Sequence, residues 1–142
     1  MGKGTTFCND LLKLALQATA IANIADNAAS SPLTNVYASL HTASPGAGGN
    51  QTTNECAYTS YARVAIARSG SGWSVSSNVA NPVSAISFPA ATGGTETATY
   101  FAIGTASSGT GKLLWFGAVT PNISISTGVT PQLTTASSIT ES

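Results

Sequence analysis

The residues that could carry acid–base or nucleophilic chemistry are few and scattered along the chain. There are five Asp and Glu residues in total and a single histidine, His41. Two carboxylates, or a serine with a histidine and an acid, could catalyse hydrolysis if folding brought them together. The five acids share no spacing, however, and the abundance of serine makes any match to His41 uninformative. We expect no enzymatic site, and we expect His41 to end a strand and hydrogen-bond a neighbouring loop.

The sequence also contains no motif for a metal, a phosphate or a cofactor. Cys8, Cys56 and His41 could supply zinc with at most three protein ligands, and the CxxC spacing is absent. The glycine-rich turn that ends in Lys112 lies between two predicted strands, whereas a phosphate-binding loop joins a strand to a helix. We expect no cofactor. We favour two free thiols, with one disulfide as the alternative.

The sparse charge of the chain excludes several classes of partner. Five Lys and Arg residues balance five Asp and Glu residues, and charged residues make up 7% of the sequence, against roughly a quarter in ordinary soluble domains. The basic residues form no cluster, so we expect neither nucleic acid nor an anionic membrane surface as a partner. A chain of zero net charge tends to associate, which favours a subunit of an assembly and a homo-oligomer, either a dimer or a trimer.

The N-terminal part of the chain predicts the only helix. Apolar side chains recur at spacings of three and four from Phe7 onwards, which indicates a helix from residue 7 to about residue 26. Thr6 is the predicted N-cap, and Asp10 is expected in the first turn. Lys13 and other polar residues make residues 11–24 too polar for a membrane span, and the same interruptions argue against the alternative of a signal peptide.

Beyond residue 34 the pattern changes to the alternation typical of strands. The predicted strands are residues 35–41, 61–68, 73–79, 85–88, 97–105, 112–120, 123–126 and 132–139, separated by glycine and proline. Residues 97–105 and 112–120 are apolar on both faces, so both are expected to be central in a sheet. The predicted fold is all-β: an antiparallel β-sandwich of jelly-roll type with one N-terminal α-helix. Residues 1–34 would form the helix and connector, and residues 35–142 the sandwich, within a single domain.

Three features are candidates for contacts with other subunits. Residues 42–59 form the longest irregular stretch, which is typical of a functional loop, and we expect residues 47–54 to tolerate shortening. Arg63 and Arg68 lie on opposite faces of a predicted strand, so one would face solvent while the other pairs with an acid or a carbonyl. The helix would bury its apolar stripe against the sandwich or a second copy. The candidate interface residues are Phe7, Leu11, Leu14, Ala18, Pro45, Gly46, Asn50, Glu55, Arg63 and Arg68.

The aromatic residues suggest a further function from a different class. Aromatic side chains on strands can form a platform that binds a sugar, although they more often belong to a core. The residues concerned are Tyr37, Tyr58, Tyr61, Trp73, Tyr100 and Trp115. A carbohydrate-binding receptor module is therefore kept as an alternative.

Ordered landmarks along the chain resemble a family of small tailed-bacteriophage virion proteins. The opening VYASLHTASPG at residues 36–46 follows a short helix, as it does in that family. Later landmarks fall at residues 58–65, 72–73, 86–94, 101–104, 111–118 and 128–131. Together they extend from the helix to the C-terminus.

The resemblance implies a structural role in the virion. Members of the family are described as tail-fibre-like or virion proteins, and they are similar to small jelly-roll cement proteins of phage heads. The resemblance therefore implies a capsid decoration protein that binds the major capsid protein and stabilises the head, with a tail fibre or baseplate component as the alternative. The family brings no catalytic residues. Ser44 replaces the family's usual Asp, which removes a turn cap or ion ligand and argues against calcium in that loop.

Overall fold

The structure is a computed structural model that describes residue 3, residues 5–21 and residues 32–142. These residues form one helix and nine strands. The elements are α1 (Thr5–Gln17), β1 (Asn35–His41), β2 (Val64–Ala67), β3 (Trp73–Ser76), β4 (Val79–Pro82), β5 (Ile86–Ser87), β6 (Glu96–Gly104), β7 (Leu113–Ile125), β8 (Gln132–Leu133) and β9 (Ile139–Thr140). Within these described residues, the expectation of a mostly β, antiparallel protein with one helix is confirmed. The chain divides into two compact units, the first comprising Met1–Asn35, Ile66–Ala85 and Leu133–Ser142, and the second comprising Val36–Ala65 and Ile86–Gln132.

Helix α1 of the first unit is shorter than predicted. It ends at Gln17 because Ala18 adopts a left-handed conformation with φ of 55°, which stops a right-handed helix. The last part of the predicted helix, residues 22–26, lies outside the described residues. The helix begins at Thr5, so Thr6 lies inside it rather than at its N-cap, and its first turn contains no acid. Arg68 donates to the carbonyls of Leu14 and Ala15 at 2.8 and 2.6 Å and thereby satisfies two acceptors that the helix end leaves open.

The buried face of α1 also differs from the prediction. Cys8, Leu12 and Leu16 are buried at a spacing of four, whereas Phe7 is 39% exposed. The other predicted members of the stripe, Leu11, Leu14 and Ala18, are half-buried. Leu11 and Leu12 are adjacent and both apolar, so the helical period alone does not determine which of the two apolar sets faces the sheet. The interface role proposed for the predicted stripe stays a prediction.

The sheet of the first unit has the strand order β3-β4-β9, and α1 packs against β3 and β4. Predicted strand 73–79 is in fact interrupted, because Ser77 and Asn78 have φ of 49° and 59° and form the two-residue turn of the β3–β4 hairpin. Two positive φ angles are what a type I′ hairpin requires, and asparagine tolerates them. The predicted strand 132–139 is likewise divided into β8 and β9, with a turn closed by the Ser137 N–H and the Thr134 carbonyl at 3.0 Å.

The second unit is built around β1 and β6, which lie in a sheet of order β2-β1-β6-β7. Antiparallel β1 and β6 pair from Tyr37 with Gly104 to His41 with Tyr100, so β6 is central, as predicted. Strand β7 is predicted to be central too, but it pairs with β6 and forms the edge. The predicted break after residue 120 is wrong. Pro121 lies where the β6–β7 register shifts, and proline is tolerated at such irregularities because its missing N–H is not needed there.

Candidate functional site

The loop at residues 42–59 is held against the end of β1 rather than projecting as a free loop. The N–H of Cys56 donates to the carbonyl of Leu40 at 2.9 Å, and the N–H of Thr42 donates to the carbonyl of Asn54 at 2.8 Å. An antiparallel bridge joins His41 to Glu55. These bonds place the Glu55 side chain beside the segment that leads into β2.

Glu55 and Arg63 form a buried ion pair with two hydrogen bonds. Nε of Arg63 lies 2.7 Å from Oε1 of Glu55, and Nη2 lies 2.8 Å from Oε2. The Arg63 side chain is 3% exposed and the Glu55 side chain 15% exposed. Arg63 also donates to the carbonyls of Ala106 and Gly109 at 3.0 and 2.8 Å. One guanidinium therefore connects the 42–59 loop to the turn between β6 and β7.

Tyr61 completes the coordination of the Glu55 carboxylate. Its hydroxyl donates to Oε1 of Glu55 at 2.9 Å and accepts the N–H of Leu40 at 3.1 Å. Burial, and next the Glu55 charge, raise the pKa of Tyr61 well above its usual value, so the phenol stays protonated and keeps its proton for this bond. The Tyr61 ring stacks on Phe88 with centroids 6.4 Å apart and meets Tyr58 edge-on at 5.3 Å.

His41 is bridged through its backbone to Glu55, and its side chain is fully buried. Its Nδ1 is 2.9 Å from the Thr53 carbonyl, and because a carbonyl only accepts, Nδ1 carries the proton. Its Nε2 is 2.9 Å from the hydroxyl of Ser39, which is also fully buried. Burial lowers the pKa of His41, so the imidazole is neutral and accepts the Ser39 proton. The prediction that His41 ends a strand and bonds a neighbouring loop is confirmed.

The Ser39–His41 pair has two of the three groups of a hydrolase triad, but the geometry differs at the third. The position that an acid occupies in a triad, beside Nδ1, is filled by the Thr53 backbone carbonyl. Both side chains are fully buried, so the hydroxyl does not face solvent. This arrangement can hold the loop to β1.

Gln51 is a site residue that the sequence analysis missed. It is fully buried, its Oε1 accepts the N–H of Ala106 at 2.9 Å, and its backbone N–H donates to the carbonyl of Gly111 at 3.0 Å. A Cβ at Gly104 would lie 2.1 Å from its Cδ, and a Cβ at Gly111 would lie 2.0 Å from its Oε1. Two glycines flanking the same turn were the available signal, because glycine often marks a close approach by another chain segment.

The surface above the ion pair is a shallow depression of about 260 Å³. Its lining residues are Glu55, Tyr61, Ala62, Arg63, Ser107, Ser108 and Gly109. The charged groups at its base are already bonded to each other and to backbone carbonyls. Among the residues that the structure describes, no group of three His, Cys, Asp or Glu side chains is arranged to hold a metal ion.

The remaining candidate residues of the loop stabilise the loop itself. Pro45 is buried, Gly46 has φ of 69°, and the Oδ1 of Asn50 accepts the N–H of Thr52 at 2.9 Å. The hydroxyl of Ser44 accepts the N–H of Gly46 at 3.2 Å, so Ser44 supplies a turn cap that was expected to be lost with the family's Asp.

The structure contradicts the expectation that residues 47–54 tolerate shortening. Loop residues can be removed without unfolding when their backbone is exposed and unbonded, but Gln51 is fully buried and the Thr53 carbonyl bonds to His41. Removing this stretch would delete two anchors of the second unit. Within residues 47–54, the exposed residues are Ala47, Gly48, Thr52 and Asn54.

The ten candidate interface residues are divided between the two units. Phe7, Leu11, Leu14, Ala18 and Arg68 belong to the first, and Pro45, Gly46, Asn50, Glu55 and Arg63 belong to the second. Both arginines bond to backbone carbonyls of their own unit, whereas one of them was expected to face solvent.

Both cysteines are buried and free, which confirms the favoured prediction. Beside Cys56, the Glu96 carboxylate accepts the N–H groups of Ala57 and Tyr58 at 2.9 and 3.0 Å. Burial, and next the charge of Glu96, raise the pKa of Cys56 to about 12. The thiol is therefore protonated and unreactive at neutral pH.

The aromatic residues considered for a sugar platform are not all available. Trp73 and Tyr58 are buried at 2% and 3% exposure, and the other four are half-buried. Stacking on a sugar requires an open ring face, which a buried ring does not offer.

The fold and the cluster define a mostly antiparallel β protein whose loops are stabilised by a buried ion pair. No helix among the described residues has the length and apolar content needed to cross a membrane. Residues 13–140 match the family described as podophage GP4 fiber I protein gp80. The chain belongs to this family, and it is therefore a structural component of a tailed-phage virion, as the resemblance of its sequence predicted. No curated protein matches the chain.

Proposed function

We propose that the protein is a non-catalytic subunit of a fibre on the phage particle and that it works by binding other protein subunits. The observation that carries the proposal is the family match, because it spans residues 13–140 and its description names a fibre protein. This is the fibre alternative of the sequence analysis, now favoured over head decoration by that description.

The contacts of four of the ten charged side chains support a binding mode without ion pairs. Arg63 and Glu55 bond to each other, Arg68 bonds to backbone carbonyls, and Glu96 accepts backbone N–H groups. Charges used in this way within the chain contribute little to a partner surface. Attachment would then depend on apolar contact and on backbone and hydroxyl hydrogen bonds, which the Ser- and Thr-rich surface offers.

Capsid decoration is the second candidate, with the major capsid protein as the partner. It is favoured by the sequence, which has neither the heptads nor the repeats that a fibre shaft usually contains. In this role the protein would act as a cement protein that stabilises the head. A jelly-roll sandwich formed by residues 35–142, within a single domain that also includes the helix and connector of residues 1–34, is part of this proposal and stays a prediction.

Location and copy number in purified particles distinguish the two functions. Cryo-electron microscopy should show density of this fold in an appendage at the neck or tail, and mass spectrometry should find few copies relative to the major capsid protein. A copy number comparable to that of the capsid protein, with density on the shell, would establish decoration instead. Absence of the chain from purified particles would refute both.

The proposal that the protein is not an enzyme has its own test. A hydrolase assay on purified protein with a panel of ester, peptide and glycan substrates should give no turnover above buffer. Turnover that is lost in His41→Gln but retained in Ser74→Ala would overturn the proposal, because Ser74 lies on an exposed position of β3, outside the cluster.

A further inference from the structure

The depression above the Glu55–Arg63 pair has side-chain hydrogen-bonding groups that the chain itself does not use. Ser107 and Ser108 line it and are both exposed. Neither hydroxyl bonds to another of the described residues. A serine hydroxyl is both a donor and an acceptor. The rim of the depression therefore presents two groups of dual character to a bound molecule.

The base of the depression adds an acceptor without adding a free charge. The Glu55 carboxylate has about four acceptor positions, and three of them are occupied. Arg63 and Tyr61 bond to Oε1, and Arg63 also bonds to Oε2. Oε2 thus retains an open position, on a side chain that is 15% exposed and whose charge the guanidinium neutralises.

The turn that carries the two serines is fixed from below. Arg63 donates to the carbonyls of Ala106 and Gly109 at 3.0 and 2.8 Å. The buried Oε1 of Gln51 accepts the N–H of Ala106 at 2.9 Å. A site whose walls are already ordered loses less conformational entropy on binding than a mobile one.

These groups select a neutral ligand that carries several hydroxyls. Phosphate, sulfate and carboxylate ions only accept hydrogen bonds and would be repelled by Glu55, and a cation would be repelled by Arg63. Among the described residues, no other charged side chain lines the depression to compensate either ion. An alcohol hydroxyl can donate to Glu55 and can take either role with a serine, so it satisfies all three groups.

We propose that this depression binds a single neutral sugar ring, with one ring hydroxyl donating to Oε2 of Glu55 and others bonding to Ser107 and Ser108. The volume of about 260 Å³ lies below the roughly 300–1,000 Å³ of pockets for drug-sized ligands, so the site suits one ring. The recognition depends on hydrogen bonds, which distinguishes it from the aromatic platform considered from the sequence. Glycoside hydrolysis uses two carboxylates, whereas Glu55 alone lines this site, so the sugar would be bound and not cleaved. The inference does not depend on whether the subunit belongs to a fibre or to the head.

Amide NMR spectra of the isotope-labelled full chain test the proposal. The probes are D-glucose, D-galactose, D-mannose and N-acetylglucosamine, each added up to about 0.1 M because a shallow one-ring site should have a millimolar Kd. At least one sugar should shift the amides of Ala62 and residues 107–109 in a saturable manner, and sodium sulfate at the same concentration should not. No saturable shift with any of the four sugars, shifts confined to other residues, or an equal response to sulfate would overturn the proposal.

Removal of the two rim hydroxyls tests their role without disturbing the ion pair. Ser107→Ala combined with Ser108→Ala should weaken binding about tenfold, the effect of losing two neutral hydrogen bonds. The matched control is Ser74→Ala combined with Ser76→Ala, which removes two exposed hydroxyls from β3 and should leave the Kd unchanged. The same Kd in both double variants would contradict the assigned contacts.

A blocking variant keeps the test decisive if the serine variant does not fold. Ala62 is exposed and lines the depression, so the indole of Ala62→Trp would occupy the space of the sugar and should abolish the shifts at residues 107–109. Ala65→Trp places the same side chain at an exposed position of β2 outside the depression and should still bind. Binding retained in Ala62→Trp would place the sugar elsewhere and overturn the proposal.

Discussion

The Glu55 carboxylate receives two hydrogen bonds from the Arg63 guanidinium, at 2.7 Å from Nε and 2.8 Å from Nη2. The pair connects a loop that follows β1 with the turn between β6 and β7, because Arg63 also bonds to Ala106 and Gly109. A buried pair of this type adds little compared with a well-packed apolar pair, but removing one partner is costly because the other is left without compensation.

Arg63→Met should therefore lower the free energy of unfolding by about 3–5 kcal/mol. It leaves the mostly buried carboxylate with the Tyr61 hydroxyl but without the guanidinium, and the carbonyls of Ala106 and Gly109 each lose one donor. Lys3→Met is the control, because it breaks the Lys3–Glu141 pair, in which the Lys3 side chain is 37% exposed, and should cost less than about 1 kcal/mol. Urea unfolding measures both, and equal losses would show that the Glu55–Arg63 pair has no special role in stability.

Gly104→Ala should destabilise the protein by about 1–3 kcal/mol, because the new methyl group would overlap the buried side chain of Gln51. The loss should be smaller when the same substitution is made in a Gln51→Ala background, where the overlapping atoms are gone. Gly70→Ala, with open space around its Cβ position, is the control and should change stability little. A Gly104→Ala effect that is the same in both backgrounds would mean that Gln51 is not its cause.

Leu12→Asp should cost about 3 kcal/mol or more, because it places an unpaired charge at a fully buried position of α1. Leu11→Asp should cost clearly less, since Leu11 is half-buried and its carboxylate can reach water. Thermal unfolding of the two variants compares neighbouring positions of one helix. A larger loss at Leu11 would support the stripe predicted from the sequence over the face observed here.

The stability of the protein should decrease as the pH falls below about 6.5. Burial lowers the pKa of His41 in the folded chain, so the unfolded chain binds more protons between the folded pKa and its own value near 6.5. The contribution is complete above the unfolded pKa and is lost as the pH falls through that window. Unfolding by urea at pH 7.5, 6.5 and 5.5 should show this slope, and His41→Asn should flatten it. An unchanged slope in the variant would assign it to other groups.

Attachment to the particle should be only weakly sensitive to salt. Exposed ion pairs are screened over about 8 Å at physiological ionic strength, whereas apolar burial is not weakened by salt. Purified particles dialysed against rising sodium chloride up to about 1 M should keep the protein, as measured by sedimentation and gel densitometry. Release at a few tenths molar would indicate an electrostatic contact and would make Lys112, which is exposed, the first residue to replace.

Local patterns in the sequence determined much of the strand assignment. Strand β1 has the predicted bounds Asn35–His41, and β6 differs from its prediction by one residue at each end. Alternation of side chains, and the glycines and prolines that follow, depend on the nearest few residues, so they are legible without the fold. The helix and the absence of cofactor motifs were also predicted from local sequence. The family resemblance was predicted from the order of landmarks along the chain.

Tertiary structure decided what those elements contact. Residues 112–120 are apolar on both faces, which predicted a central strand, yet β7 lies at the edge, because strand order depends on pairing between distant segments. The helix presents Leu12 rather than Leu11 to its sheet, because both positions are apolar and only packing distinguishes them. Arg63 and Gln51 both hydrogen-bond to Ala106 in the turn before β7, which lies 43 and 55 residues further along the chain. Glu55 joins this cluster through its ion pair with Arg63. Sequence spacing contains no information about such contacts, so the cluster could be recognised only once the chain was folded.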